Sequence, residues 1–235
     1  VRQTLSFCLF SAWIFTGCVH GLYWRQTGPE IISERFSTTK DRAFDYWLLT
    51  YRESEQKRLP LIFVLHGTGG NGEDYLAVWK EEASKRRFMV LSPTRSDVLR
   101  TQIATLTDLR ELLSQIEKKY PVDLGRVYLV GVSSGALSAW RLYSQSPEKW
   151  AGMILISAPN RDKWMKGMEG KAYPPVLFVH GKKDEQFDFN ETVKNADFMK
   201  SLGFNVTLLD WPEGRHEHRP EWNAAIFDWM EKVKS

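Results

Sequence analysis

Gly131-Val132-Ser133-Ser134-Gly135 is a G-x-S-x-G pentapeptide. It lies between the apolar run Val127–Val132, which predicts a strand, and Gly135–Ser144, which predicts a helix. A serine on so sharp a strand-to-helix turn exposes its hydroxyl and can act as a nucleophile. The turn brings together the residues two before and two after the serine, so both must be small. Gly131 and Gly135 meet that need, and Ala136 keeps the crowding low. The helix N-terminus aims free N–H groups at the same point, which favours a developing negative charge. Ser134 is out of register for attack, but its backbone N–H is placed to meet an oxyanion. The competing reading is a glycine-rich turn without chemistry.

A serine hydroxyl needs a base to become a useful nucleophile. The chain has five histidines. His20 sits next to an apolar leader, and His66 and His180 each end a predicted strand just before a glycine. That leaves His216 and His218, in the loop Glu213-Gly-Arg-His-Glu-His-Arg-Pro220 between the last predicted strand and the last predicted helix. The one that is not the base is expected to be a solvated loop residue.

These residues need elements to hold them. Ile31–Ser37 and Phe44–Tyr51 predict a hairpin across the polar Thr38–Arg42. Leu61–Leu65, Phe88–Leu91 (stopped by Ser92-Pro93), Val127–Val132, Gly152–Ile156, Val176–Val179 and Val206–Leu209 read as buried strands. Between them, Glu73–Arg87, Thr101–Lys119, Gly135–Ser144, Asn190–Leu202 and Glu221–Lys234 read as helices. In Thr101–Lys119, Ile103, Leu106, Leu109, Leu113 and Ile116 form one stripe. Alternating strands and helices predict an α/β fold, a mainly parallel twisted sheet with helices on both faces and one antiparallel edge.

Tyr120-Pro-Val-Asp-Leu-Gly-Arg-Val-Tyr-Leu-Val-Gly-Val-Ser-Ser-Gly135, with Trp140-Arg-Leu142 and Pro147-Glu-Lys-Trp-Ala151, resembles the nucleophile region of the phospholipase/carboxylesterase and polyhydroxybutyrate-depolymerase-like esterases. His66-Gly-Thr-Gly-Gly-Asn71 is similar to their oxyanion loop. The resemblance runs from about Phe44 to the end of the chain and implies the α/β-hydrolase fold with a minimal cap. It also implies that the backbone N–H groups of Thr68 and Ser134 are the oxyanion donors. The strand-His-Gly-x-x-Asp pattern of Val176–Asp184 makes Asp184 the acid, with Glu185, Asp188 and Asp162 as fallbacks. The Gly214-Arg215-His216 order resembles the family's Gly-x-His loop and favours His216 over His218 as base. The order Ser133, Asp184, His216 is the one the fold requires.

The resemblance thus implies acyl transfer from a carboxylic ester through an acyl-enzyme, with no metal and no cofactor. The segment Asn160–Pro174 is too short for a large cap, which predicts an open site. Such a site suits short acyl esters or ester groups exposed on a polymer, with Trp164, Met165 and Met168 as candidates for one wall. Two alternatives stand beside it: a serine peptidase or amidase with the same triad, and a non-catalytic binding lipoprotein of the cell envelope.

Composition agrees with an ordinary globular chain of 235 residues, 43% hydrophobic and 26% charged. The net charge is only +3 and no Lys/Arg run exceeds three residues, which does not suggest a nucleic-acid partner. The ten tryptophans are expected mainly in the core. Arg2 and the apolar stretch Leu5–Phe15 read as a signal peptide, too short to span a bilayer. Phe15-Thr16-Gly17-Cys18 resembles a bacterial lipoprotein box, which implies lipidation at Cys18; cleavage after Gly21 is the rival. Cys8 and Cys18 are the only cysteines, so the body has no disulfide framework. The expected organisation is a leader over residues 1–21 and one domain over 22–235. The destination would be the bacterial envelope, by a lipid anchor, or the periplasm or medium.

Overall fold

The structure is a computed structural model and describes residues 28–51, 57–94, 104–158, 165 and 172–233. The leader with Cys18, and Trp164, Met168 and Asp162, lie outside the described residues.

Among the described residues eight strands form one sheet: β1 (Pro29–Ser37), β2 (Ala43–Tyr51), β3 (Leu59–Leu65), β4 (Met89–Pro93), β5 (Val122–Val132), β6 (Gly152–Ile156), β7 (Val176–Gly181) and β8 (Val206–Trp211). Their order across the sheet is β1-β2-β4-β3-β5-β6-β7-β8. β1 and β2 are antiparallel, β2 is antiparallel to β4, and the pairs from β4 to β8 are parallel. Five α-helices among the described residues cover it: α1 (Gly72–Arg86), α2 (Leu106–Lys119), α3 (Gly135–Gln145), α4 (Phe189–Ser201) and α5 (Asn223–Lys232). The expected α/β fold with one antiparallel edge is what forms.

The apolar runs of β3 to β7 are continuous because both faces of the parallel strands are buried. Leu61, Phe63, Leu129, Leu155 and Phe178 face α2, α3 and α4. Ile62, Val64, Val130, Ile154 and Val179 face α1 and α5. Trp140 and Trp150 pack into the first layer, and Trp79, Trp222 and Trp229 into the second. Met165 is also a fully buried member of the first layer, so it is packing and not a cleft wall.

Every strand but β6 runs past an expected end, most by one or two residues. β4 continues through Ser92-Pro93, because Pro93 is the last residue and pairs only with Tyr46 of β2. β5 starts five residues earlier than its apolar run, at Val122, which pairs with Leu59 across a register shift. The helix expected from Thr101 is described from Leu106, capped by Thr105. The Thr105 hydroxyl accepts from the Asp108 backbone N–H while the Asp108 carboxylate accepts from the Thr105 backbone N–H, a capping box. Arg42 closes this knot: its Nε and Nη2 donate to the two Asp108 oxygens at 2.9 and 2.7 Å. Asp108 is wholly buried, and the bidentate pair ties the β1–β2 hairpin to the start of α2.

Candidate active site

The site lies at the C-terminal ends of β3, β5, β7 and β8, where an open parallel sheet presents its loops. Ser133 follows β5 and has φ of 50°, a left-handed conformation rare for a non-glycine residue. Its N–H donates to the Ile156 carbonyl at 2.9 Å and its carbonyl accepts from Ala136 N–H at 3.0 Å, which holds the strained turn. The two glycines are required by approach. A Cβ on Gly131 would lie 2.6 Å from the Ala136 Cα, and one on Gly135 would lie 2.1 Å from the Leu65 carbonyl oxygen.

The Ser133 hydroxyl is 2.9 Å from His216 Nε2, and His216 Nδ1 is 2.9 Å from Asp184 Oδ2. A carboxylate only accepts, so Nδ1 carries the proton and Nε2 is free to take one from the serine. The Asp184 side chain has no exposure, whereas the His216 side chain retains 16%. Burial pushes the Asp184 carboxyl up. The backbone N–H of Phe187, the His216 imidazole and the backbone N–H of Gln186 outweigh it and hold the carboxyl below its usual range. Both N–H groups donate to Oδ1, at 2.9 Å from Phe187 and 2.8 Å from Gln186, so the turn after β7 fixes the carboxylate. The Phe187 ring packs on His216 with ring centres 5.4 Å apart.

The acid and base loops are joined directly. Gly181 and Gly214 touch backbone to backbone: a Cβ on Gly181 would lie 2.2 Å from the Gly214 carbonyl carbon. Lys183 N–H donates to the Gly214 carbonyl and Lys182 N–H to that of Trp211, both at 2.8 Å. On the other side, the Ser157 hydroxyl at the tip of β6 donates to the Glu217 carbonyl at 2.8 Å.

Thr68 and Ser134 are brought together, since the Thr68 hydroxyl donates to the Ser134 hydroxyl at 2.9 Å. Their backbone N–H groups donate to no backbone carbonyl among the described residues. Gly67 presses on the nucleophile: a side chain there would start 3.2 Å from the Ser133 Cβ. The loop of Gly67 and Thr68 is thus folded against the turn that bears Ser133 and Ser134. The fallback acids are engaged elsewhere. Glu185 pairs with Arg215, and Asp188 caps α4 through Asn190 N–H. Among the described residues no group of three or more His, Cys, Asp or Glu side chains is arranged to hold a metal ion.

One expectation is corrected. His218 is not a solvated loop histidine. Its ring lies 4.8 Å from that of Trp79, and its Nε2 faces Asn223 Oδ1 at 2.8 Å. Asn223 Nδ2 donates to the Val78 carbonyl, which fixes the amide and makes His218 Nε2 the donor. Burial lowers the His218 pKa to about 4, so it stays neutral and pins the base loop to α1.

Two residues that support these loops carry little signal in the sequence. Ser157 is an isolated serine whose φ of 50° and hydrogen bond to the base loop emerge only in three dimensions. His180 ends β7 as expected but also reaches the acid: its Nε2 is 3.0 Å from Asp184 Oδ2. Its position four residues before Asp184, across a tight turn, was the available clue.

The chain is similar to known proteins in sequence and in fold. Over 179 residues the chain is 26% identical to a bifunctional acetylxylan esterase/xylanase of Neocallimastix patriciarum, covering 72% of this chain and 26% of that protein. It is 24% identical over 195 residues to the MhqD protein of Bacillus subtilis (strain 168), covering 74% of this chain and 93% of that one. The chain therefore spans about a quarter of the first relative and nearly all of the second. The fold superposes on an S-formylglutathione hydrolase of Staphylococcus aureus with a TM-score of 0.70 at 14% identity, covering 88% of this chain and 99% of that one. Residues 101–234 match the phospholipase/carboxylesterase family, and the chain belongs to that family.

Proposed function

We propose that the protein is a serine hydrolase of carboxylic esters. Ser133 is its nucleophile, His216 its base, Asp184 its acid, and the Thr68 and Ser134 backbone N–H groups its oxyanion donors. The observation that carries this reading is the unbroken run of hydrogen bonds from Ser133 through His216 to the buried Asp184. His216 takes the Ser133 proton as the oxygen attacks the ester carbonyl. The tetrahedral oxygen gains its negative charge next to the two unused N–H groups, where each donor supplies about 3 kcal/mol. The imidazolium then protonates the leaving alcohol. Water, deprotonated by the same histidine, releases the acid from Ser133.

Family membership and the acetylxylan esterase relative support esters of short acyl groups, free or carried on a polymer. The test is hydrolysis of a p-nitrophenyl ester series from acetate to palmitate by the protein and by Ser133→Ala. A rate that depends on Ser133 and is greatest for short chains is expected. Equal inactivity of both proteins across the series would reject the reading.

The leader supports export, with Cys18 as the lipid-bearing residue and the folded body held at a membrane surface. Among the described residues no helix is long and apolar enough to cross a membrane. Metabolic labelling with a palmitate analogue should tag the full chain and not Cys18→Ser. Cleavage without label would favour release from the membrane after a cut such as that following Gly21.

A further inference from the structure

Asp184 serves two histidines. His216 Nδ1 and His180 Nε2 reach the same oxygen, Oδ2, at 2.9 and 3.0 Å. His180 has no exposed surface and lies at the end of β7, one strand-tip turn from the acid. Its hydrogen bonds define its proton. Nε2 faces two acceptors, Asp184 Oδ2 and, at 3.2 Å, the Phe187 carbonyl, so Nε2 is protonated. Nδ1 is 2.6 Å from the hydroxyl of Thr192, itself wholly buried in α4; that hydroxyl supplies the hydrogen, and Nδ1 accepts it. A neutral imidazole has one donor and one acceptor, and both are used.

We infer that His180 is a positioning residue of the triad: its neutral Nε2–H holds the Asp184 oxygen that faces His216. This rests on the triad assignment proposed above. The carboxylate then has fixed donors on both oxygens, backbone N–H groups on Oδ1 and His180 on Oδ2, so it cannot rotate away when Ser133 gives its proton to His216. Sharing Oδ2 also withdraws part of the carboxylate's charge from His216. Burial favours the neutral form of His180 more strongly than the Asp184 charge opposes it, so His180 does not compete for the serine proton. The other charged groups of the surrounding loops are paired with one another at the surface: Lys182 with Asp210, Lys183 with Glu213, Arg215 with Glu185 and Arg219 with Glu217.

The test has a substrate-free part and a kinetic part. In nitrogen-15 NMR spectra of the unaltered protein, His180 should show one proton, on Nε2, protected from exchange across about pH 5–8. A His180 that is unprotonated at Nε2, or that gains a second proton in that range, would overturn the inference. In the kinetic part, His180→Asn keeps an amide facing Thr192 but falls short of Asp184, whereas His180→Gln reaches Asp184 with an N–H. The Asn variant should lose about tenfold in kcat/KM. The acid limb of its pH profile should also move up by roughly half a pH unit, and the Gln variant should restore both. Acid limbs that coincide in the two variants would overturn the role. Ester inactivity alongside an intact, protected His180 proton would reject the esterase reading and leave the positioning role standing.

Discussion

The molecule buries two aspartates at opposite sides of its sheet and uses them differently. Asp108, beneath the antiparallel edge, has no exposed side chain and receives a permanent guanidinium from Arg42 in two hydrogen bonds. Asp184, beneath the far parallel edge, is as deeply buried but is met only by backbone N–H groups and two imidazoles. At Asp108, burial pushes the carboxyl up and Arg42 with Thr105 pulls it below its usual range. Asp184 is held low by groups with no permanent charge. A cation that never leaves its partner makes a structural clamp. A carboxylate facing an imidazole that is neutral at rest can stabilise a charge that appears only during turnover. What separates the clamp from the proposed catalytic acid is the kind of partner, not the depth of burial.

That contrast is breakable by experiment. Ser133→Ala should lower kcat for a short-chain p-nitrophenyl ester by about 10⁶-fold. Its thermal midpoint should stay near that of the parent, because the hydroxyl contributes chemistry rather than packing. Asp184→Asn should cost about 10⁴-fold in kcat, since an amide facing His216 favours the wrong tautomer. It too should keep the fold, as read by circular dichroism. The same change at the other aspartate, Asp108→Asn, should leave the rate per folded molecule unaltered and lower the thermal midpoint by about 5–10 °C. If both asparagine variants lost activity while melting normally, the division into clamp and catalytic acid would fail.

The smallest effect concerns His218. The folded protein keeps this imidazole neutral down to about pH 4, whereas the unfolded chain protonates it near its ordinary value of 6.5. Below pH 6.5 the unfolded state therefore holds more protons. Stability is complete above that pH and drains away as pH falls to about 4, by up to about 3 kcal/mol. Urea melts of His218→Gln, which keeps an N–H for Asn223 but cannot titrate, should show a flatter stability profile across this window. An unchanged slope would place the acid sensitivity elsewhere.

Much of this was legible in the sequence because local patterns dictated it. The apolar runs of β3, β6 and β7 had to be doubly buried strands, and the small residues around Ser133 had to be a tight turn. The loop that holds His216 and His218 was readable from its place after the last strand; the choice of His216 and Asp184 came from the family resemblance. What escaped depends on contacts distant in the chain. Nothing near His218 foretells Trp79, which lies far back on α1, so its burial was hidden. The first five residues of β5 lack an apolar run; Val122 pairs with Leu59 through a register irregularity that no periodicity reveals. The Arg42–Asp108 pair joins positions 66 residues apart. Ser157 and His180 reach the Glu217 carbonyl and Asp184 only because β6, β7 and the loop after β8 meet at one end of the sheet.

The backbone contact between Gly181 and Gly214 has a practical meaning for redesign. With no side chain between them, the turn bearing Asp184 and the loop bearing His216 pack as one unit. A graft that imports residues 181–188 without residues 211–220, or adds a side chain at either glycine, should wedge Asp184 and His216 apart. Substrate range is better altered at Thr68, whose hydroxyl meets Ser134 and which lies outside both segments.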